Sequence, residues 1–105
     1  MIVSFDKAYL QELYETGKTQ SKKHRFQPEI ARKYVRCIDL LIEVPDIEAL
    51  YKYNSLNIEA LKGDKSGLFS VRVNNQYRIE FSVNQIQNET IVNLCTIIEL
   101  SNHYK

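Results

Sequence analysis

Three features of the sequence predict an α+β domain in which helices lie on one face of a mainly antiparallel sheet. Two apolar patterns of helical period fill the first half, and alternating segments fill the second. The links between those segments are short, which makes neighbouring strands antiparallel. At 105 residues the chain has the length of one domain, residues 1–105. Folding a chain of that size removes roughly 65% of its extended surface from water, enough for one core.

The elements follow in order. Residues 2–5 alternate and predict a short edge strand. Asp6 is placed to cap a helix in which Leu10, Leu13 and Tyr14 keep i, i+3, i+4 spacing, and Gly17 supplies its stop. After the loop "KTQSKKHRFQ", Pro28 suits a first helical turn, and Ile30, Tyr34, Ile38, Leu41 and Ile42 trace one apolar stripe up to Pro45. Asp46 is the expected cap of one or two further turns in "PDIEALYKY". The period then changes, and strands are expected at residues 56–61, 68–73, 77–83 and 90–100, joined by the turn-forming "KGDKSG", "NNQ" and "NQIQNE".

Composition narrows the class. With 44% apolar and 26% charged residues the chain is globular in type, neither disordered nor fibrous. "MIVSFDK" lacks a basic region followed by an apolar run, and nowhere do about 18 apolar residues follow one another, so a cytoplasmic protein without a membrane partner is expected. Cys37 and Cys95 are far apart and form no metal framework; reduced, buried thiols and no cofactor are expected.

A net charge of +1 excludes a uniformly basic coat, but the signs are segregated. Lys18, Lys22, Lys23, Arg25, Arg32, Lys33 and Arg36 stand against Glu29 alone, whereas Asp39, Glu43, Asp46, Glu48 and Glu59 stand against Lys52 alone. Such a basic flank favours a polyanion, the alternative being a merely solvated face. Arg32, Lys33 and Arg36 fall on the side of their helix opposite the apolar stripe.

The segment "LKGDKSGLFSVRVNNQYRIEF" is the most informative. Phe69, Val71, Val73, Tyr77, Ile79, Phe81 and Val83 share one face of a hairpin, leaving Ser70, Arg72, Arg78 and Glu80 on the other. A three-residue loop at 74–76 sets Arg72 opposite Arg78, where like charges repel unless an anion is near. Glu80, diagonal to Arg72, serves that purpose in an exposed Arg/Glu ladder. The functional alternative is a solvent-facing anion site, since guanidinium groups suit phosphate. Lys62 enters the turn beside Gly63 and can project over the same face, although no P-loop pattern is present. His103 and Tyr104 follow the last strand as candidate ring groups, and His24 in the basic loop is a weaker candidate for chemistry.

These residues resemble the HigB-type toxins of the RelE/ParE superfamily, the growth-inhibiting halves of type II toxin-antitoxin pairs. The likeness is carried by Leu61-Lys62-Gly63-Asp64, then Gly67, an apolar strand, Arg72-Val73-Asn74 and Tyr77-Arg78-Ile79, with "MIVSF" and "SNHYK" at the ends. It implies a RelE-like fold, two N-terminal helices on a twisted, mainly antiparallel sheet of four to five strands. It also implies a ribosome-dependent messenger endoribonuclease, metal-independent, in which the substrate's 2′-OH attacks the scissile phosphate. Lys62 and Arg78 would stabilise the phosphorane, and His103 would act as acid or base. Tyr104 would stack a base or assist proton transfer, and Arg72 would position the backbone. The basic residues from Lys18 to Arg36 would hold ribosomal RNA.

The implied partners are the ribosome, messenger RNA and a helix-turn-helix antitoxin, with DNA reached only through the antitoxin. Two positions depart from the family. Glu59-Ala60 stands where His-Pro is common, so Glu59 must face away from RNA or act as a base, and Asn102 stands where Tyr is common. Two alternatives remain: a ParE-like gyrase poison that cuts no RNA, and an inactive module that only binds its antitoxin and helps it repress transcription.

Overall fold

The computed structural model describes residues 1–87 and 89–102. The order is β1 (Ile2–Phe5), α1 (Ala8–Thr16), α2 (Pro28–Glu43), α3 (Ile47–Leu50), β2 (Glu59–Ala60), β3 (Phe69–Arg72), β4 (Arg78–Gln87) and β5 (Ile91–Ser101). Short 3-10 turns, Asn54–Leu56 and Gly63–Lys65, flank β2. The five strands form one sheet in the order β1-β5-β4-β3-β2, antiparallel throughout except where β1 runs parallel to β5. The expected α+β architecture is therefore present.

Local chemistry accounts for most boundaries. Gly17 ends α1 at φ 76°, its N–H reaching the Leu13 carbonyl at 2.9 Å, a left-handed stop that glycine takes without strain. Pro28 opens α2, and Asp46 caps α3 by accepting the Ala49 N–H at 3.0 Å. Asp6 does not cap α1. Its N–H instead donates to the Ile97 carbonyl at 2.9 Å, prolonging the β1–β5 pairing, and Lys7 takes the cap position with no side-chain bond. The C-terminal carbonyls of α2 are met by the Met1 ammonium, which donates to Leu41 and Ile42 at 3.0 and 2.9 Å and to Val44.

Two strands differ from expectation. The segment expected at 56–61 shrinks to two residues, because Asn54–Leu56 winds into a 3-10 turn and Asn57 turns left-handed at φ 42°. β4 extends through "NQIQ", expected as turn, because pairing with β5 continues out to Gln87 and Ile91. Backbone ladder bonds there make a projecting arm that needs no buried side chains.

The core lies between the helices and one sheet face. Leu10, Leu13, Tyr34, Ile38 and Leu41 meet Val71, Ile79, Phe81, Cys95, Ile97 and Leu100, all buried. Ile42, expected on the apolar stripe, stays 43% exposed. Ile97 and Leu100 are three apart and would point to opposite faces of a regular strand. The register shift between Glu80 and Phe81, which leaves Ile98 unpaired, brings both into the core. The same bulge puts Glu99 and Ser101 on the far face, beside Glu80 and Arg78. Tyr34 reaches across the core to donate to the Leu10 carbonyl at 2.8 Å, and burial raises its pKa.

Cys95 is buried and Cys37 half-buried, and both are free thiols. Burial pushes Cys37 up to about 11 and Cys95 to about 12. Both therefore stay protonated at neutral pH. In the native protein, alkylation of either thiol at pH 8 should be at least about tenfold slower than for an unfolded cysteine, and should rise with pH through the alkaline range. Mass-resolved iodoacetamide kinetics measure this, and rapid labelling of folded protein at pH 8 contradicts it.

Candidate active site

The face of the sheet turned away from α1 and α2 carries the chemistry-bearing residues. Asn74 builds the turn that sets its register. Its side-chain carbonyl accepts the Gln76 and Tyr77 N–H groups at 2.8 and 2.7 Å, and Val73 N–H reaches the Tyr77 carbonyl at 3.0 Å. The resulting pairs are Phe69 with Phe81, Ser70 with Glu80, Val71 with Ile79 and Arg72 with Arg78. The two arginines do stand side by side.

They are not, however, an exposed pair. Arg72 is exposed and its guanidinium bonds the Asn75 side-chain carbonyl in the turn. Arg78 is only 6% exposed, which corrects the expectation of a solvent-facing side chain. Its Nε donates to Ser70 Oγ at 2.8 Å, while Nη2 donates to the Ser70 carbonyl at 3.2 Å and to the Asn57 carbonyl. A guanidinium leaves water only when its N–H groups find acceptors, and these supply them. The left-handed turn at Asn57 contributes one of those carbonyls.

Glu80 is also interior, at 1% exposed, rather than part of a solvent ladder. It faces Ser70 on β3 and Glu99 on β5, and its carboxylate takes the Lys65 ammonium at 2.7 Å. That pair fastens the 3-10 turn Gly63–Lys65 over the sheet. Lys62 opens the turn, is exposed, and has no ion pair among the described residues. Glu59 is exposed and pairs directly with Ser70, so it sits on the same face as Arg78 and does not face away. His103 and Tyr104 lie outside the described residues.

The basic residues are divided. Lys18, Lys22, Lys23, Arg25, Arg32 and Arg36 are exposed, and Lys33 is half-buried in an i, i+4 pair with Glu29 at 3.3 Å. The loop between α1 and α2 is held by ring contacts. His24 stacks on Tyr9 with centroids 3.7 Å apart, and Phe26 meets Tyr77 edge-on at 5.7 Å. These bring Lys23 and Arg25 to the end of β5, whereas Arg32 and Arg36 border a separate groove beside Gly17.

Lys65 and Asn57 escaped the sequence reading, and Ser70 was placed on the polar face without a role. Alternation put Glu80 on the polar side of its strand, where no partner is demanded, so nothing in the sequence singled out Lys65.

The chain thus has helices on one face of a five-stranded, mainly antiparallel sheet and the paired Arg72 and Arg78 on the other. A solved YoeB/ParE toxin from Agrobacterium tumefaciens shares this fold with a TM-score of 0.55 at 17% identity, over 99% of this chain and 100% of that one. Residues 3–96 match the model of the RelE-like toxin of type II toxin-antitoxin system HigB, and the chain belongs to that family. It is a type II toxin, and the family implies an antitoxin partner. No curated protein sequence matches it.

Arg78→Ala should destabilise the fold by about 2–4 kcal/mol, because it strands buried acceptors on Ser70 and Asn57. Arg72→Ala should change stability by less than about 0.5 kcal/mol. Urea unfolding of the two variants checks the contrast, and equal midpoints refute it.

Proposed function

We propose that this toxin is a ribosome-dependent messenger endoribonuclease. The observation that carries the reading is the side-by-side placement of Arg72 and Arg78 on a sheet face roofed by the Lys62–Lys65 turn. Two cations in register are repulsive by themselves, and a phosphate between them turns that cost into attraction.

The reaction that suits such a face begins with removal of the proton from a ribose 2′-OH. The oxygen attacks the adjacent phosphorus, and the 5′ oxygen leaves carrying a proton, giving a 2′,3′-cyclic phosphate. Charge accumulates on the non-bridging oxygens in the phosphorane. Lys62 and Arg72, both exposed, reach it as mobile cations, and Arg78 supplies a fixed positive charge beneath them. His103 moves the proton and Tyr104 stacks a base, roles that rest on the family resemblance. Glu59, on the same face, is a second acceptor for the 2′-OH proton. The exposed Lys18, Lys22, Lys23, Arg25, Arg32 and Arg36, with Lys33 behind its Glu29 pair, hold ribosomal RNA through its phosphates, so the ribosome presents the messenger. The antitoxin is a helix-turn-helix protein, and both partners act in the cytoplasm.

In a reconstituted translation system, Lys62→Ala should lower messenger cleavage about 10²- to 10³-fold, the scale of losing one preorganised donor. His103→Ala should lower it about 10²- to 10⁴-fold. Mapping messenger 5′ ends measures both. Intact messenger with gyrase-dependent DNA damage would overturn the reading in favour of a gyrase poison.

A further inference from the structure

We infer that the space between the basic loop and the end of β5 is a subsite for one nucleobase, with guanine its best fit. The inference rests on the RNA-cleaving reading and adds the base that the site reads. A cavity of about 250 Å³ lies where Lys23, His24 and Phe26 meet Tyr77, Glu99 and Asn102. It is smaller than the roughly 300–1,000 Å³ of drug-sized ligand sites and suits a single flat ring system better than a peptide segment.

Its lining is mostly polar, but three aromatic residues border it, His24, Phe26 and Tyr77, and their rings are already held in place. The His24 ring lies within 5° of parallel to Tyr9, and its Nδ1 shares a 3.1 Å hydrogen bond with Ser21 Oγ. Phe26 is fixed at 74° against Tyr77. Rings whose planes are set in advance stack on a base with little further loss of freedom.

The polar groups determine which base. A carboxylate only accepts hydrogen bonds, and the two oxygens of Glu99 match two adjacent donors. Guanine presents N1–H and N2–H side by side on its Watson–Crick edge, whereas adenine and cytosine offer one amino group there and uracil one N3–H. The Lys7–Glu99 ion pair is 4.0 Å long between groups that are 44% and 37% exposed, too loose and too wet to withdraw the carboxylate. The Asn102 side chain, exposed at the rim, can serve either edge of the base.

The position agrees with the chemistry. Ser101 lines the cavity and is the direct strand partner of Arg78, so the space lies one strand from the buried guanidinium. A nucleotide next to a phosphate held at that face can place its base here, with the exposed Lys23 and Arg25 at the mouth of the cavity.

The test uses the full chain and the four ribonucleoside 5′-monophosphates, followed by amide NMR titration. GMP should shift the Phe26, Ser101 and Asn102 amides and bind about tenfold or more tightly than AMP. Glu99→Gln should erase that preference while leaving AMP affinity within about twofold. Phe26→Ala should weaken all four by about tenfold. Because Phe26 also anchors the loop, Asn102→Ala, at an exposed position, provides an independent variant with reduced GMP binding. Shifts confined to other surfaces, or a guanine preference that survives Glu99→Gln, overturn the proposal. RNA cleavage by a protein whose cavity takes no nucleotide overturns the subsite alone. GMP bound there in a protein that cuts no RNA supports the subsite and overturns the nuclease.

Discussion

The buried guanidinium of Arg78 is the constraint on which the candidate site depends. A permanently charged group in the interior requires acceptors on several sides, and two separate parts of the chain provide them: the left-handed turn at Asn57, through its carbonyl, and strand β3 at Ser70, through its hydroxyl and its carbonyl. The left-handed turn at Asn57 that shortens β2 is the same turn that presents a carbonyl to Arg78, so the end of that strand and the seat of the cation coincide.

The second layer is electrostatic. Arg72 sits opposite Arg78 because the Asn74 turn fixes the register, and the two are made compatible by unequal environments. One is immobilised under the sheet's polar cover, and the other is exposed and tied only to the side chain of Asn75. Glu80 contributes negative charge two residues from Arg78, but Lys65 meets it directly and pins the Lys62 turn in doing so. In the proposed nuclease, a fixed Arg78 beside the exposed Arg72 would lower the reorganisation needed when a phosphate arrives.

Much of the fold could be read from the residues. Periodicity found α2 because Ile30, Tyr34, Ile38 and Leu41 leave no other face to bury, and alternation with a three-residue loop found the Arg72–Arg78 register. Alternation failed where it was asked about exposure. It assigns side chains to a face but does not say whether a loop covers that face, and the turn from Gly63 to Lys65, returning over β4, was invisible to it. The arm of β4 beyond Val83 was missed for a related reason: strands held by backbone bonds on an exposed projection carry no apolar signature. Of the residues singled out by the motif, Arg72 and Arg78 are direct strand partners, and Lys62 is the exposed residue that opens the Gly63–Lys65 turn. The partner that makes Glu80 tolerable, Lys65, becomes evident only with the tertiary structure.

The central claim is that the Arg78 charge is fixed in place before any nucleic acid binds. Hydrogen exchange of the Arg78 Nε–H, followed by NMR in the free protein at neutral pH, tests it most directly. A resolved resonance, exchanging at least about tenfold more slowly than that of exposed Arg72, is the predicted result. An Nε–H that exchanges as fast as that of Arg72 would contradict the account.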